Sequence, residues 1–516
     1  MATVTPSPSA LPPRGQMQIR RKSLIELSGI PPILRPLLRA YLLGYASAVA
    51  PRILTLLMRY ITEKRRRVST DNGQCDGFVA RLRQTVLAGL DPQRFPTFCA
   101  VLVGGSTLLE EPLRHLFQRN TKGLAEGTRT RLARWCATFI AAWFSLQLLQ
   151  SKKSSAFTEH VPVKSDVPPG AELKEVRYAG RTLDLTLFTL TRALDVIVGE
   201  FWARRRARRI ADGSWSKVST LAFVFYEDLY VNFPQAERIV GRLTDPCLFV
   251  TSCAFIMWAW FYHPSRLPSG YNKWISSAAN VDMRLIEALQ KLRAGDMAYG
   301  RSEQAELLQG MCEKYKWPMD WGDPSKSIPI PCEMVHMGCG PSCELHAISR
   351  FYRSWKWSMA MYLPLSMALL LRGPINKKSV LRLLLSASRS SAFLGAYITL
   401  FYYGVCLART RIGPHLIGTD MAARQKIDTG ICVRTGCCLC GWSVLVETTS
   451  RRKDMALFVA PRAMATLLPR RYGMDKQWRE TLVFAASTAV VFTCIHENQS
   501  RVRGVLGGIL GTVLHY

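Results

Sequence analysis

The chain reads as apolar blocks separated by short, strongly basic or Pro/Gly-rich stretches. In the first half the blocks are Pro31–Arg59, with the small-residue centre AYLLGYASAVAP, then Phe95–Leu109, Trp135–Gln150, Leu183–Trp202 and Pro246–Pro264. In the second half they are Trp357–Leu371, Ser390–Ala408, Thr435–Val446, Met455–Leu468, Leu482–Ile495 and Val505–Leu514. A membrane-crossing helix needs roughly 20 apolar residues, within about 17–25, so most of these blocks taken singly would also suit buried helices of a soluble protein. Taken together, with Trp and Tyr at block ends and arginines clustered just outside, they predict an all-α polytopic membrane protein. The first block has Arg39 and Arg52 close on either side and is expected to lie in the interface.

Residues 276–350 break the pattern. Ala278–Arg293 sets Val281, Leu285, Leu289 and Leu292 on one stripe with charges opposite, an amphipathic helix facing solvent. The Trp-, Pro- and Cys-rich stretch after it carries too much Pro and Gly for a regular element.

One pattern occurs twice. RTLDLTLFTLTRAL (Arg181–Leu194) aligns with part of RRKDMALFVAPRAMATLLPRR (Arg451–Arg471), pairing Asp184 with Asp454, Leu187 with Leu457, Phe188 with Phe458, Arg192 with Arg462 and Ala193 with Ala463. Steps of 3, 4 and 4 place the acid, the apolar pair and the arginine along one helix flank. The order of surrounding blocks repeats as well, with Lys152–Gly180 as a polar insert in the first copy. The predicted organisation is therefore a disordered basic tail (1–30), an N-terminal membrane repeat (31–275), a soluble amphipathic helix with a Cys-rich connector (276–350) and a C-terminal membrane repeat (351–516). Pro461 stands where the first copy has Thr191, which predicts a kink in the second copy.

Charge narrows the partners. The 516 residues hold 68 Lys+Arg against 37 Asp+Glu, a formal net charge of +31, yet the mean hydropathy is +0.05. The basic residues flank apolar blocks (Lys64–Arg67, Arg204–Arg209, Arg451–Lys453, Arg470–Arg471) and form no nucleic-acid-binding motif. That placement points to the bilayer and its anionic lipids as partners, with membrane-protein partners or a homo-oligomer besides, and to no nucleic acid. The 15 cysteines are scattered, many inside apolar blocks (Cys99, Cys136, Cys253, Cys406, Cys494), which suits buried reduced thiols. Residues 1–30 carry no secretory signal.

Three features carry candidate chemistry. Cys332, His336, Cys339, Cys343 and His346 put five soft ligands within 15 residues. Cys332, His336 and Cys343 plus Cys339 or His346 would make a tetrahedral structural zinc site; a disulfide or packing thiols are the rival readings. In the repeated helix, an acid and an arginine inside an apolar block are costly unless paired, so Asp184, Asp454 or Glu447 would neutralise Arg192 and Arg462, unless those arginines reach headgroups instead. At the C-terminus, Gly504, Gly507, Gly508 and Gly511 form two overlapping GxxxG spacings that suit close helix packing, as would Gly104, Gly105, Gly395 and Gly404. Cys432, Cys437, Cys438 and Cys440 lack a histidine and read as buried or acylated thiols. No nucleotide loop, serine-hydrolase elbow or metalloprotease motif is visible, so no catalytic residue is assigned and the protein is not expected to be an enzyme.

The block PCEMVHMGCGPSCELHAISRF…MYLPL (Pro331–Leu365), with Cys332, His336, Cys343, Tyr362 and Pro364, resembles the Cys-rich signature of the transmembrane protein 135 family, in a fungal-type form. Arg389–Arg409 and Arg451–Met464 are similar to that family's C-terminal helices, with Asp454-Met-Ala-Leu-Phe458 a mild departure. These helices are in turn similar to the mitochondrial inner-membrane translocase channel superfamily and to peroxisomal membrane protein 4. The resemblance implies a multi-pass protein of mitochondrial and/or peroxisomal membranes, acting in organelle dynamics or in lipid and metabolite handling. The alternative it implies is a translocase-like pore or scaffold for protein import.

Overall fold

The computed structural model describes residues 29–66, 76–121, 123–162, 173–211, 235–302, 305–370 and 376–514. All but the last two residues of the expected N-terminal tail, and parts of the Lys64–Gly77 loop and the Lys152–Gly180 insert, lie outside these. The first half supplies α1 (Arg35–Arg66), α2 (Asp76–Gly89), α3 (Phe95–Asn120), α4 (Glu126–Gln150), α5 (Leu183–Ala211) and α6 (Gln235–Tyr262). Shorter helices follow: α7 (Ser269–Ala279), α8 (Met283–Ala294), α9 (Ala305–Tyr315) and the single turn α10 (Cys332–Val335). The remainder is α11 (Cys343–Leu370), α12 (Lys377–Cys406), α13 (Ile412–Ile417), α14 (Met421–Lys426), α15 (Cys432–Cys440), α16 (Thr449–Leu467), α17 (Gln477–Glu497) and α18 (Gly504–Leu514). π-helical turns at Leu407–Arg411 and Ile427–Ile431 follow α12 and α14.

Among the described residues, six helical stretches are long and apolar enough to cross a membrane: Pro32–Tyr60, Glu126–Gln150, Gly241–Tyr262, Lys377–Ile417, Met421–Val446 and Met474–Glu497. They mark the chain as a mostly helical, integral, multi-pass membrane protein. The first block, expected in the interface, is thus as fit to span as the others. Among the described residues strands are few: β1 (Thr158–Pro162), β2 (Leu173–Ala179) and β3 (Tyr472–Gly473) make a small antiparallel sheet in the order β1-β2-β3. It departs from the all-α expectation because the polar insert cannot bury an apolar stripe and instead pairs its backbone across the chain, Ala179 opposite Tyr472.

Helices pack in two chains of neighbours. In one, α1 lies on α3, α3 on α4, α4 on α17 and α17 on α5. In the other, α11 lies on α12, α12 on α15, α15 on α6 and α6 on α16. Each half of the sequence therefore places its last long helix, α6 or α17, among the helices of the other half, and α5 against α16 joins the two groups. The division at residues 275 and 351 is one of sequence order, which this packing crosses. The first group buries Phe98, Leu102, Ala142, Leu146, Val196, Phe484 and Phe492 together.

Small residues set the helix spacing. Ala133, Ala137 and Ala141 recur every fourth position on α4 and are all buried; a Cβ on Gly105 of α3 would sit 3.0 Å from that of Ala141. On the other side a Cβ on Gly404 of α12 would lie 3.0 Å from the Gly436 Cα of α15, and one on Gly395 would lie 3.3 Å from Phe351. The C-terminal glycines behave differently. Gly504 takes φ +79° and leaves room for Asp454 Oδ1, Gly507 abuts the Val502 carbonyl, Gly511 makes room for the Gln499 side chain, and nothing lies near Gly508. The nearest atoms to Gly504, Gly507 and Gly511 are side chains and a turn carbonyl and not the backbone of a facing helix.

Residues 276–350, expected as a soluble connector, bury into the same core as the second group. Leu285, Leu292, Leu308, Met311, Ile330 and Met334 join Phe249, Phe401 and Val433 there. The amphipathic helix forms at Met283–Ala294, where Asp282 caps it by accepting from Arg284 N and Gly295 ends it at φ +89°. Its leucine stripe meets membrane helices instead of water's edge, as an apolar stripe must find a partner.

Candidate functional site

The Cys-rich stretch is organised around His336. A turn of helix at Cys332–Val335 ends there, and Met337, Gly338 and Gly340 then take positive φ of 54°, 79° and 89°, folding the chain back. In this loop His336 Nδ1 lies 2.8 Å from the Gly340 carbonyl, so Nδ1–H donates and Nε2 is left as a lone pair. Cys332 and Cys343, the latter at the start of α11, bring their sulfurs to it: the three ligand atoms lie within 4.8 Å of one another. His336 is buried, and burial, followed by the Arg409 and Arg350 charges, lowers its pKa despite the Gly340 bond. Burial pushes the Cys332 thiol up.

A fourth group completes the cluster. Cys406 Sγ, at the end of α12, sits 3.3 Å from His336 Nε2 and next to Cys343. Cys339 and His346 do not join. Cys339 Sγ lies 4.0 Å from Ser349 Oγ. The His346 ring stacks on His336 with centroids 4.3 Å apart and meets Tyr402 edge-on. Neither His346 nitrogen has a hydrogen-bond partner, and burial with the nearby cations pushes its pKa down to about 3, so it is a neutral ring. Sequence spacing could not show Cys406, which is 63 residues past Cys343 inside an apolar block. The available signal was helical: Tyr402, Cys406, Arg409 and Thr410 share one face.

That face also carries a buried ion pair. Arg409 donates from Nε and Nη2 to the two Asp428 oxygens at 2.6 and 3.0 Å, with side chains 4 % and 1 % exposed. Each residue lies in one of the two π-helical turns, which re-aim side chains that a regular helix would direct elsewhere. Arg409 Nη2 also donates to the Ile330 carbonyl at 2.8 Å, while Tyr299 OH donates to Asp428 at 2.5 Å and accepts from Ile330 N at 3.2 Å. The connector is thus hydrogen-bonded to the membrane helices next to the cysteines.

The repeated helix pairs differently from the expectation. Asp184 accepts from Arg470 at 3.1 and 2.7 Å, not from Arg192; eight helical residues separate Asp184 and Arg192 by about 12 Å, too far for an ion pair. Buried Arg192 donates to the Arg503 carbonyl at 3.3 Å and rests over Phe188, with the Asp454 carboxylate of the other copy nearby. Glu447 accepts from Ser390 at 2.7 Å and meets Arg451 at 3.6 Å. Arg462 finds rings rather than an acid: its guanidinium lies 3.9 Å from the Phe458 centroid and 5.8 Å from that of Tyr271, and donates to the Phe458 carbonyl at 2.6 Å. Helix α16 runs through Pro461 without ending. Of the other cysteines, Cys432, Cys437 and Cys440 are buried in α15 and Cys438 is exposed.

Phe458 and Tyr271 also line a cavity of about 440 Å³ between α6, α7, α12 and α16. Phe249, Ile256, Met257, Trp260, Phe393, Tyr397, Ile398 and Phe401 form its walls, which are almost wholly apolar. Phe458 and Trp274, 54 % and 42 % exposed, stand at its mouth, so the cavity opens where Arg462 lies. Its size falls in the ~300–1,000 Å³ range of small-molecule sites.

No family model, no curated protein and no solved structure matches this chain, so the family resemblance rests on the residues that carry it.

Proposed function

We propose that this chain is a non-enzymatic, multi-pass organelle membrane protein that handles lipid, as its resemblance to the transmembrane protein 135 family implies for mitochondrial and/or peroxisomal membranes. The observation that carries the reading is the apolar cavity of about 440 Å³ with Arg462 at its mouth. An acyl chain would gain roughly 25 cal/mol per Å² of apolar surface it removes from water, and the guanidinium would meet an anionic head. An apolar lining favours that occupant over a translocating polypeptide, whose backbone needs hydrogen-bond partners. The two packing chains support a further part of the reading: two related repeats, each lending its last helix to the other, with the repeated helices α5 and α16 meeting between them.

Lipid analysis of the protein purified in mild detergent tests this. An anionic amphiphile should co-purify. Ala278→Trp, which fills the cavity, should abolish retention, and Arg462→Glu should lower it several-fold while leaving thermal stability near wild type, since Arg462 has no acidic partner among the described residues. Wild-type protein that retains no lipid, or an Ala278→Trp variant that retains it fully, would exclude the cavity as the site.

A further inference from the structure

We propose that Cys332, His336, Cys343 and Cys406 form a closed Cys3His site for a structural Zn²⁺ that clamps the connector to the end of α12. This is independent of the lipid reading. Zinc binds thiolate at about 2.3 Å and imidazole nitrogen at about 2.0–2.1 Å, which puts neighbouring tetrahedral ligand atoms about 3.5–3.8 Å apart. Cys406 Sγ is already 3.3 Å from His336 Nε2. The Cys332, His336 and Cys343 atoms lie within 4.8 Å of one another, so closing by roughly 1 Å brings these three to a common ion.

Three further observations favour a metal over a disulfide. The Gly340 carbonyl accepts a hydrogen bond from Nδ1–H and leaves the Nε2 lone pair facing Cys406, the orienting contact that metal-bound histidines use. Two sulfurs and one imidazole gather at one point and a third sulfur, that of Cys406, touches the imidazole, whereas a disulfide would employ two sulfurs and leave the rest without a role. The donor set is soft and complete, four protein ligands with no open position, which is the pattern of structural rather than catalytic zinc. On binding, each of the three thiols releases its proton to the medium and His336 binds neutral, so the site carries a net charge of −1 (2 − 3). Arg350, which donates to the Ala279 and Asn280 carbonyls and lies close enough to influence His336, faces that charge. The consequence is mechanical: the ion would tie α10, the start of α11 and the end of α12 at the edge of the Arg409–Asp428 network, so that the loop cannot peel from the bundle.

Elemental analysis of the full chain, purified in mild detergent from zinc-supplied cells, should give close to one zinc per chain. Exchange for Co²⁺ should give the visible bands of a tetrahedral thiolate site. After dialysis against a weak chelator, Cys406→Ser should lose most of its metal, whereas Cys339→Ser and His346→Phe should keep it. The wild-type stoichiometry and the Co²⁺ spectrum read the site even where a variant fails to fold. The proposal is overturned by wild-type protein without stoichiometric zinc and without a thiolate–Co²⁺ spectrum, or by mass spectrometry that finds Cys332, Cys343 or Cys406 in a disulfide. Full occupancy in Cys406→Ser combined with loss in His346→Phe would equally overturn the ligand assignment.

Discussion

Arg409 and Asp428 show what a charge demands inside this protein. Neither side chain is more than 4 % exposed, and each has a partner besides the other, Ile330 for Arg409 and Tyr299 for Asp428. Removing one partner leaves an uncompensated buried charge, at a cost of about 3–5 kcal/mol. Arg409→Leu and Asp428→Leu should each lower the unfolding midpoint of the detergent-solubilised protein by a margin of that order. The double variant should recover much of the loss, because it removes both charges at once. Additive losses in the double variant would show that the pair is not coupled. The contrast with Arg462 is instructive, since that arginine rests on two rings near the surface and its reversal is expected to spare the fold. Sequence could show that charges lay in apolar blocks but not which acid met which arginine, because the partners of Arg409 and Asp184 lie on other elements.

At the scale of elements, glycine acts through backbone proximity at some positions and through free space at others. Gly404 and Gly436 hold α12 and α15 at near contact. A side chain at Gly436 would collide with the Phe401 carbonyl, 2.8 Å from its Cβ position. Gly436→Val should therefore destabilise by about 1–3 kcal/mol or more through overpacking. Gly508→Ala has nothing to strike and should be neutral or slightly stabilising, by up to about 1 kcal/mol of helix propensity. Thermal unfolding of both variants checks the pair; equal losses would contradict the packing assigned to each. The helical periodicity of α4, α8 and α12 was legible, since apolar and small residues recur at their faces. The π-helical turns at 407–411 and 427–431 were not, because they answer to the Arg409–Asp428 contact and not to local propensity.

At the scale of the molecule, the exchanged helices make the halves interdependent. Without α17, the helices α4 and α5 would expose the faces that Phe484 and Phe492 cover; without α6, the cavity loses the wall formed by Ile256 and Trp260. A chain cut between α5 and α6 should yield two fragments that co-purify when expressed together, while the piece carrying α1–α5 should be degraded when made alone. Stable accumulation of that piece by itself would refute the interdependence. The small sheet reinforces the link, since β3 lies after α16 yet pairs with β2 before α5.

The sequence alone determined that this is a helical protein for a membrane, because block length, apolar content and flanking arginines are local properties set by the thickness of a bilayer. It also pointed to the clustering of Cys332, His336 and Cys343, because they are close in the chain and a Gly-rich loop can gather them. Only the tertiary structure decided that Cys406 joins them, that Cys339 and His346 stand aside, and that α6 and α17 change places between the halves. Those outcomes depend on which helix faces meet across tens to hundreds of residues, and many pairings of similar apolar faces satisfy the same sequence pattern until close packing selects one.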